Sequence, residues 1–211
     1  MSDETLLTVR PEELAPREAY NLLLSTVVPR PIAWISTLSP EGRANLAPYS
    51  FFNGVCGAPP VVMFAATRRR DGQEKHSLRN ARTTSELVVN LVSEELTAAM
   101  NLTAGEWPEE CDEAELAGLA TTPSLEVRPP RLAAARAALE VRVQQLVEVE
   151  GTNCVMVLGR VLRFHFRAAA LRPGYLLDAT KLQPVARLGG DEYGTLGRVF
   201  SLARPEVPPT R

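Results

Sequence analysis

The sequence predicts a mainly β fold of the α+β class, in which an antiparallel sheet closes into a small barrel and helices lie at its periphery. Short apolar segments with strand character recur without regular intervening helices, which favours an antiparallel sheet over a doubly wound fold. Seventeen prolines and thirteen glycines among 211 residues indicate many loops. Because closure removes exposed strand edges, about six strands at this spacing suit a barrel.

We expect one domain over residues 1–203 and a proline-rich tail over 204–211, since no repeat or interior linker divides the chain. The formal net charge of −2 argues against a nucleic-acid or membrane surface, and the apolar runs are too short to span a bilayer. The N-terminal residues lack the features of a secretory signal. Three cysteines without a C-x-x-C pair predict no disulfide framework and no zinc site, so a cytoplasmic location is expected.

The first elements are a helix and a hairpin. Residues 17–25 have helical apolar spacing, with Tyr20 and Leu23 among the residues predicted to face inward. Residues 32–38 are rich in β-branched and aromatic side chains, a polar turn follows, and residues 44–52 return. This order predicts two antiparallel strands joined by a short loop.

The later elements follow the same two periodicities. Residues 138–149 alternate apolar and polar side chains, and the alternation blurs at Gln145 and Leu146, which predicts a bulge there. Residues 155–166 alternate in the same way. The remaining predictions are strands over 61–66 and 87–92, and helices over 73–83, 94–101 and 191–203.

Motifs for side-chain catalysis are missing from the sequence. There is no G-x-G-x-x-G after a strand, no Walker A loop, no H-E-x-x-H and no G-x-S-x-G. The two histidines, His76 and His165, lie far apart in sequence, and His165 alternates with phenylalanines in a strand, which predicts a structural role. We therefore expect no catalytic side chain and no metal, and infer that a cofactor supplies any chemistry.

Four separated segments carry a family resemblance. They read RPIAWIST from Arg30, NLAPYSFFN from Asn45, KHSLRN from Lys75 and RLGGDEY from Arg187. Together with LVVNLVSEEL from Leu87, they resemble the flavin reductase-like proteins, an FMN-binding split-barrel family. The resemblance covers nearly the whole chain and implies FMN as the cofactor, a homodimer with flavin sites at its two-fold interface, and NAD(P)H as a partner.

The resemblance implies that the segment Ser50, Phe51 and Phe52 runs beside the isoalloxazine ring and donates backbone N–H groups, with Asn45 near its entry. From composition alone, the same aromatic residues would be read as a core strand. Trp34 is predicted to be mainly a packing residue that flanks the flavin or the dimer seam. The C-terminal motif reaches toward the flavin in this family, and its residues here are Gly189, Gly190 and Tyr193. Without the resemblance, they indicate a turn and one packing tyrosine.

For the phosphate, the resemblance implies two groups of residues. Ser36 and Thr37 would lie near the ribityl phosphate, although such a pair before a turn is more often a local cap. Lys75, Ser77 and Arg79 would bind the phosphate at a helix start, where free N–H groups favour anions; the alternative is a solvated polar helix. The sequence departs from the family here, since His76 stands where Asp is frequent and Ser77 where Thr is frequent.

A basic run, Arg68 to Arg70, falls in a predicted loop. Such runs are usually solvated, and the alternative is that this one attracts a nucleotide phosphate.

Three functions are compatible with these residues. The preferred one is an NAD(P)H-dependent flavin reductase-type oxidoreductase, in which FMN passes electrons to free flavin or another small-molecule or protein acceptor. The second is an FMN-holding electron-transfer protein reduced by a protein donor. The third is a split-barrel ligand-binding module without redox activity.

Overall fold

The computed structural model describes residues 6–69 and 71–205. Its elements are five helices and fourteen strands, besides short 3-10 turns. The helices are α1 (Pro16–Thr26), α2 (His76–Thr84), α3 (Thr97–Leu102), α4 (Glu113–Leu116) and α5 (Ala179–Leu182). The strands are β1 (Arg30–Pro31), β2 (Ala33–Leu38), β3 (Ala44–Tyr49), β4 (Phe52–Gly57), β5 (Pro60–Thr67), β6 (Glu86–Leu91), β7 (Thr121–Thr122), β8 (Arg131–Leu132), β9 (Ala137–Glu148), β10 (Cys154–Phe166), β11 (Leu171–Arg172), β12 (Leu176–Leu177), β13 (Val185–Arg187) and β14 (Tyr193–Thr195).

Seven of the strands form one antiparallel sheet in the order β3-β2-β6-β9-β10-β5-β4. The predicted hairpin is present, with Ala33 opposite Tyr49 and Leu38 opposite Ala44. One face of the sheet covers a buried apolar cluster that includes Ile35, Phe64 and Val157. The mainly β, α+β prediction is therefore confirmed at the level of the sheet and its peripheral helices.

Closure of the barrel is not found among the described residues, because β3 and β4 are the two ends of the hydrogen-bonded order. Only Ser50 and Phe51 separate these edge strands in sequence. A chain this short spans at most about 11 Å, whereas the edges of a flat seven-stranded sheet would lie about 29 Å apart. The sheet is therefore strongly curled. The chain crosses the gap between its edges instead of pairing them, and Pro48 on β3 has no N–H to offer a further strand.

The longest strands carry a bulge close to the predicted place. Leu158 pairs with Gln145 and Gly159 with Val143, so Gln144 is the extra residue, one position before the pair predicted from the pattern. Gly159 sits where the pairing shifts. A Cβ at this position would clash with Cγ1 of Val141, so a larger side chain would force the Val141 side chain or its strand to move.

The predicted helix over 191–203 is wrong. Strand β14 occupies 193–195, pairs with β13, and joins β1 in a separate three-stranded sheet. Residues 196–205 contain no regular element. Pairing with β13 satisfies the backbone groups of β14, while Gly194 and Gly197 disfavour a helix through the same stretch.

The helix α1 has less core contact than its sequence suggests. Of its apolar residues only Leu24 is buried, and Tyr20 and Leu23 are each 51% exposed. By contrast, α2 buries Ser77, Leu78 and Asn80 against the sheet. No helix within the described ranges is long and apolar enough to cross a bilayer.

Candidate functional site

A groove opens where the chain crosses between the two edge strands. Its main cleft has a volume of about 440 Å³ and is lined by Ser50 and Phe51 of the crossing segment, with Thr67 of β5. A smaller pocket of about 60 Å³, which we call the neck, is lined by Asn45, Ser77 and other residues near the start of α2. The two depressions share Pro48, Tyr49, Lys75 and Ala104. The two depressions therefore adjoin each other, and we refer to them together as the groove.

The crossing segment offers free backbone donors to this groove. Ser50 and Phe51 belong to no strand, and neither of their N–H groups donates a hydrogen bond to another described backbone carbonyl. The carbonyl oxygen of Phe51 accepts from the Ala65 N–H at 2.8 Å, which fixes the segment to β5. Two adjacent amide donors at the wall of a cleft suit the polar edge of a flat heterocyclic ligand.

The start of α2 gives the neck a positive potential. Lys75 is the residue before the first helical residue, its side chain makes no capping hydrogen bond, and the first turn contains no acidic residue. The unpaired N–H groups and the helix dipole therefore favour an anion there. Lys75 lines both the cleft and the neck. Within the described part of the chain, no carboxylate lies within the 4.0 Å ion-pair distance of its ammonium group.

Arg69 and His76 form a second polar pair at the neck. The guanidinium Nη2 of Arg69 lies 3.1 Å from Nε2 of His76. Burial lowers the pKa of His76, and the neighbouring charges of Arg69 and Arg79 lower it further. A neutral imidazole nitrogen can accept a hydrogen bond from the Arg69 N–H, so His76 holds this arginine in place. Both residues line the neck.

A buried hydrogen-bond network supports the neck from beneath. Asn45 Nδ2 donates to Ser77 Oγ at 2.8 Å, and Ser77 is itself buried. Burial raises the pKa of Tyr49 to about 12, although its hydrogen bond with Ser77 acts in the opposite direction. Tyr49 is therefore protonated at neutral pH. Asn80 Nδ2 donates to Thr37 Oγ1 at 3.1 Å, which joins α2 to β2.

Trp34 and Ser36 lie in the interior and line neither depression. The indole Nε1 of Trp34 donates to Thr103 Oγ1 at 2.8 Å, and the whole residue is buried in an apolar cluster. Ser36 Oγ accepts from Asn90 Nδ2 at 2.9 Å. Thr37 is also fully buried. Ser36 and Thr37 of β2, which were predicted to lie near the phosphate, therefore lie behind the groove wall.

The remaining predicted residues divide between the groove and its surroundings. Tyr193 lines the cleft, and its hydroxyl donates to Asn101 Oδ1 at 3.2 Å. Phe52 lies in β4, paired with Phe64, outside the groove lining. Arg79 also lies outside the groove lining, and its guanidinium pairs with Glu109 at 2.6 Å.

Gly189 and Gly190 form the turn between β13 and β14. A Cβ on Gly189 would lie 2.5 Å from Ser25 Oγ, so this glycine lets the turn approach α1 closely. Gly190 has a φ of +52°, in the left-handed region that favours glycine. Neither residue lines the groove. Their role in the structure is to shape the turn between β13 and β14 and its approach to α1.

Several groove residues were named from the sequence only as part of a motif, run or helix, or were not named at all. Arg30 and Arg187 line the main cleft, although each stands at the start of a motif that was recognised. Arg69 comes from the basic run, in which Arg68 is paired with Glu148 at 2.9 Å and Arg70 lies outside the described residues. The pattern of charges contained these residues, but only the fold shows which of them share a cavity. Tyr20, Asn101 and Trp107 also line the groove.

The neck also contains two carboxylates, those of Glu106 and Glu113, and Glu113 is buried. Glu113 accepts a hydrogen bond from the Leu46 N–H at 2.9 Å. Burial raises the pKa of Glu113, and the backbone hydrogen bonds only partly oppose this. Lys75, Arg69, Arg30 and Arg187 all line the same groove. The groove is therefore suited to a flat ligand that carries negative charge.

His165 lies away from the groove. Its Nε2 is 2.6 Å from Oε1 of Glu140, which also accepts from the Leu125 N–H at 2.9 Å. Glu140 is fully buried, so this pair joins β9 to β10 and to the loop before β8. The structural role predicted for His165 is consistent with this place.

A curled, split antiparallel sheet with a cationic groove at the split defines the class of protein, the flavin reductase-like split barrels. Residues 24–186 match the flavin reductase like domain, and the chain belongs to this family, as the motifs predicted. The chain is 36% identical over 209 residues to the uncharacterized protein BH2278 of Halalkalibacterium halodurans, covering 97% of this chain and 100% of that protein.

Two solved structures extend the similarity to the fold. Nitrilotriacetate monooxygenase component B from Bacillus cereus aligns with a TM-score of 0.90 and 33% identity, over 95% of this chain and 100% of that one. The 2-nitrobenzoate 2-nitroreductase NbaA of Pseudomonas fluorescens aligns with a TM-score of 0.85 and 29% identity, over 97% and 99% of the two chains. The family and fold are thereby established.

Proposed function

We propose that this protein is an FMN-binding oxidoreductase that takes electrons from NAD(P)H and passes them to a small-molecule or protein acceptor. The observation that carries the proposal is the groove, with free amide donors at Ser50 and Phe51 in the cleft and, at the neck, Lys75, which pairs with no carboxylate among the described residues. These two features match the two polar ends of FMN, the ring edge and the phosphate.

The neck residues fit a phosphate. Phosphate groups are bound by cations and backbone N–H groups, and a helix start with a lysine supplies both. Lys75 and the first N–H groups of α2 would bind the phosphate, and Arg69, held by His76, would add a second charge. Ser77 and Asn45 would set the geometry of the helix start through their mutual hydrogen bond.

The crossing segment fits the ring. The N–H groups of Ser50 and Phe51 would donate to the polar edge of the isoalloxazine, and the curled edges of the sheet would shield it from water. When bound, FMN supplies the hydride and electron transfer. The protein's share is binding and orientation, because Tyr49 stays protonated and His76 is neutral and occupied by Arg69.

Two kinds of acceptor are retained in the proposal. One similar structure is named as a component of a monooxygenase and the other as a nitroreductase. These names agree in redox chemistry and differ in what receives the electrons. The second candidate function, an FMN protein reduced by a protein donor, shares every groove residue and differs only in the source of electrons.

We also propose a homodimer. Apolar side chains of α1 and of the segment after β14 lie exposed on the single chain; Leu23 is 51% and Phe200 is 66% exposed. Exposed large apolar side chains of this kind are typical of a protein interface. We place the protein in the cytoplasm, a reducing compartment in which the free thiols Cys56, Cys111 and Cys154 are stable.

The proposal is tested by loading purified protein with FMN, desalting it and recording the visible absorption of the retained flavin. We expect a yellow protein that releases FMN on denaturation and oxidises NADH or NADPH when free flavin is added. Retained FMN with rapid reduction only by a protein donor would favour the electron-transfer function. A folded but colourless protein would refute both and leave the ligand-binding module.

A further inference from the structure

A pair of arginines lies on the wall of the main cleft. The pairing of β1 with β13 places Arg30 directly opposite Arg187. Both residues line the cleft, and neither lines the neck where Lys75 and Arg69 lie. Like charges directly opposite each other on adjacent strands destabilise a sheet unless something compensates them. The place of this pair therefore calls for an explanation.

Arg30 is buried, and no carboxylate within residues 6–69 and 71–205 pairs with it. The residue is only 4% exposed, and its guanidinium donates to the carbonyl oxygens of Leu24, Val27 and Leu188. Its Nε has no hydrogen-bond partner in the described part of the chain. Carbonyl groups satisfy donors but do not neutralise the charge, so Arg30 keeps a positive potential at the cleft wall.

Arg187 is more accessible and is already oriented. Its guanidinium carbon lies 4.4 Å from the centroid of the Tyr193 ring, a cation–π arrangement that holds a planar group in place. The nearest carboxylate is that of Asp191, 3.5 Å away and fully exposed, which is a weak partner in water. Two guanidinium groups therefore share one wall with little opposing charge.

We propose that Arg30 and Arg187 form a second anion subsite, which takes the carboxylate or phosphate group of the substrate that exchanges electrons with the flavin. Arg187 would bind the anion directly and Arg30 would contribute charge from behind. This proposal rests on the proposed function, since it assigns the neck to the flavin phosphate and the arginine pair to the second molecule. The subsite is thus selective for anionic substrates.

The substitution Arg187→Gln tests the subsite, with Arg187→Lys as the charge-preserving variant. The control is Arg160→Gln, which removes an exposed arginine of β10 outside the groove. Each FMN-loaded protein is assayed with anionic and neutral substrates of the same reactive group. The donors are NADH, NADPH and neutral 1-benzyl-1,4-dihydronicotinamide, and the acceptors are 4-nitrobenzoate and neutral 4-nitrobenzamide.

We expect Arg187→Gln to raise the KM of an anionic substrate about tenfold or more, because a charge-assisted hydrogen bond is lost. The KM of the neutral counterpart and kcat should stay within about twofold, and Arg187→Lys should recover part of the effect. A selective effect on NADH and NADPH identifies the donor as the anion bound, and one on 4-nitrobenzoate identifies the acceptor. Equal effects on charged and neutral substrates, or no effect, would overturn the proposal.

Two further measurements separate this proposal from the proposed function. If Arg187→Gln abolishes the preference for FMN over riboflavin, the arginine pair binds the flavin phosphate, and the second subsite is refuted. If the protein does not turn over, thermal unfolding of flavin-free protein with millimolar pyrophosphate or benzoate decides the question. Stabilisation by either anion that is lost in Arg187→Gln supports the subsite, and unchanged stabilisation refutes it.

Discussion

Lys75→Gln is the most direct perturbation of the neck. The substitution keeps a long polar side chain but removes the charge from the residue that precedes α2. Lys75 has no ion-pair partner within the described ranges, so its loss leaves no buried carboxylate unpaired and should not unfold the protein. A change in ligand binding can therefore be attributed to the ligand contact.

The expected magnitude follows from the type of bond. A hydrogen bond to a charged group contributes about 1.5–3 kcal/mol, which corresponds to about a 10- to 150-fold change in the dissociation constant. The phosphate of FMN would lose this contact, whereas riboflavin has no phosphate to lose. We therefore expect Lys75→Gln to weaken FMN binding by that factor and riboflavin binding by less than about twofold.

The measurement is a fluorescence titration of each variant with FMN and with riboflavin at several salt concentrations. Arg79→Gln is the matched control, since it removes a cation from the same helix that is already committed to Glu109. Its effect on either flavin should be below about threefold. Equal weakening of FMN and riboflavin in Lys75→Gln, or a larger effect from Arg79→Gln, would refute the assignment of the phosphate to the neck.

Three further predictions concern stability and assembly. Glu140→Gln should lower the free energy of unfolding by about 3 kcal/mol in urea, while exposed Glu148→Gln should change it far less. Burial raises the pKa of Glu140, but its hydrogen bonds outweigh burial, so the pKa in the folded state lies below 4.5. The stability that ionised Glu140 contributes is therefore present above pH 4.5. It is lost as pH falls through the folded-state pKa. If the difference in free energy of unfolding between wild type and Glu140→Gln does not shrink as pH falls below 4.5, this reasoning is contradicted. Gly159→Ala should destabilise the fold by about 1–3 kcal/mol in thermal unfolding because its Cβ meets Val141, and an unchanged midpoint would show that the strands shift freely. Phe200→Asp should reduce the light-scattering mass from two chains to one, and an intact dimer would place the interface elsewhere.

The sheet was predictable because its signals are local. Alternation in residues 138–149 and 155–166 depends only on which face of a strand is buried, and the structure has long paired strands there. The hairpin of β2 and β3 likewise follows from strand propensity on both sides of a polar turn. Strand identity and the bulge were thus available from the pattern of side chains alone, to within one residue.

The same local patterns did not predict that the edge strands stay unpaired or that residues 191–203 form no helix. Whether edge strands pair depends on the path of the chain between them, and two residues that cross the gap look no different in sequence from two that turn. The segment after Gly190 contains two glycines that disfavour a helix, and pairing of Tyr193 with Arg187 fixes its extended conformation. The open edge thus depends on tertiary contacts, whereas part of the signal against the helix was local.

The site follows the same division. Motifs predicted Lys75, Ser50 and Phe51, which line the groove, because a recognised segment carries its residues with it. Trp34 and Ser36 came with a segment of that kind as well, yet the direction of their side chains takes them into the interior. A motif thus identifies the strand that builds a site, and the fold decides which of its alternating side chains reaches the ligand.

The departure at His76 is compensated within this chain, and this bears on the phosphate proposal. An Asp at this position would bring a negative charge to the first turn of α2, whereas here that turn carries no acidic residue. The neutral His76 instead accepts from Arg69 and fixes this cation at the neck. Compared with an Asp, a neutral His76 adds no negative charge where an anion is proposed to bind, and it accepts a hydrogen bond from Arg69 there.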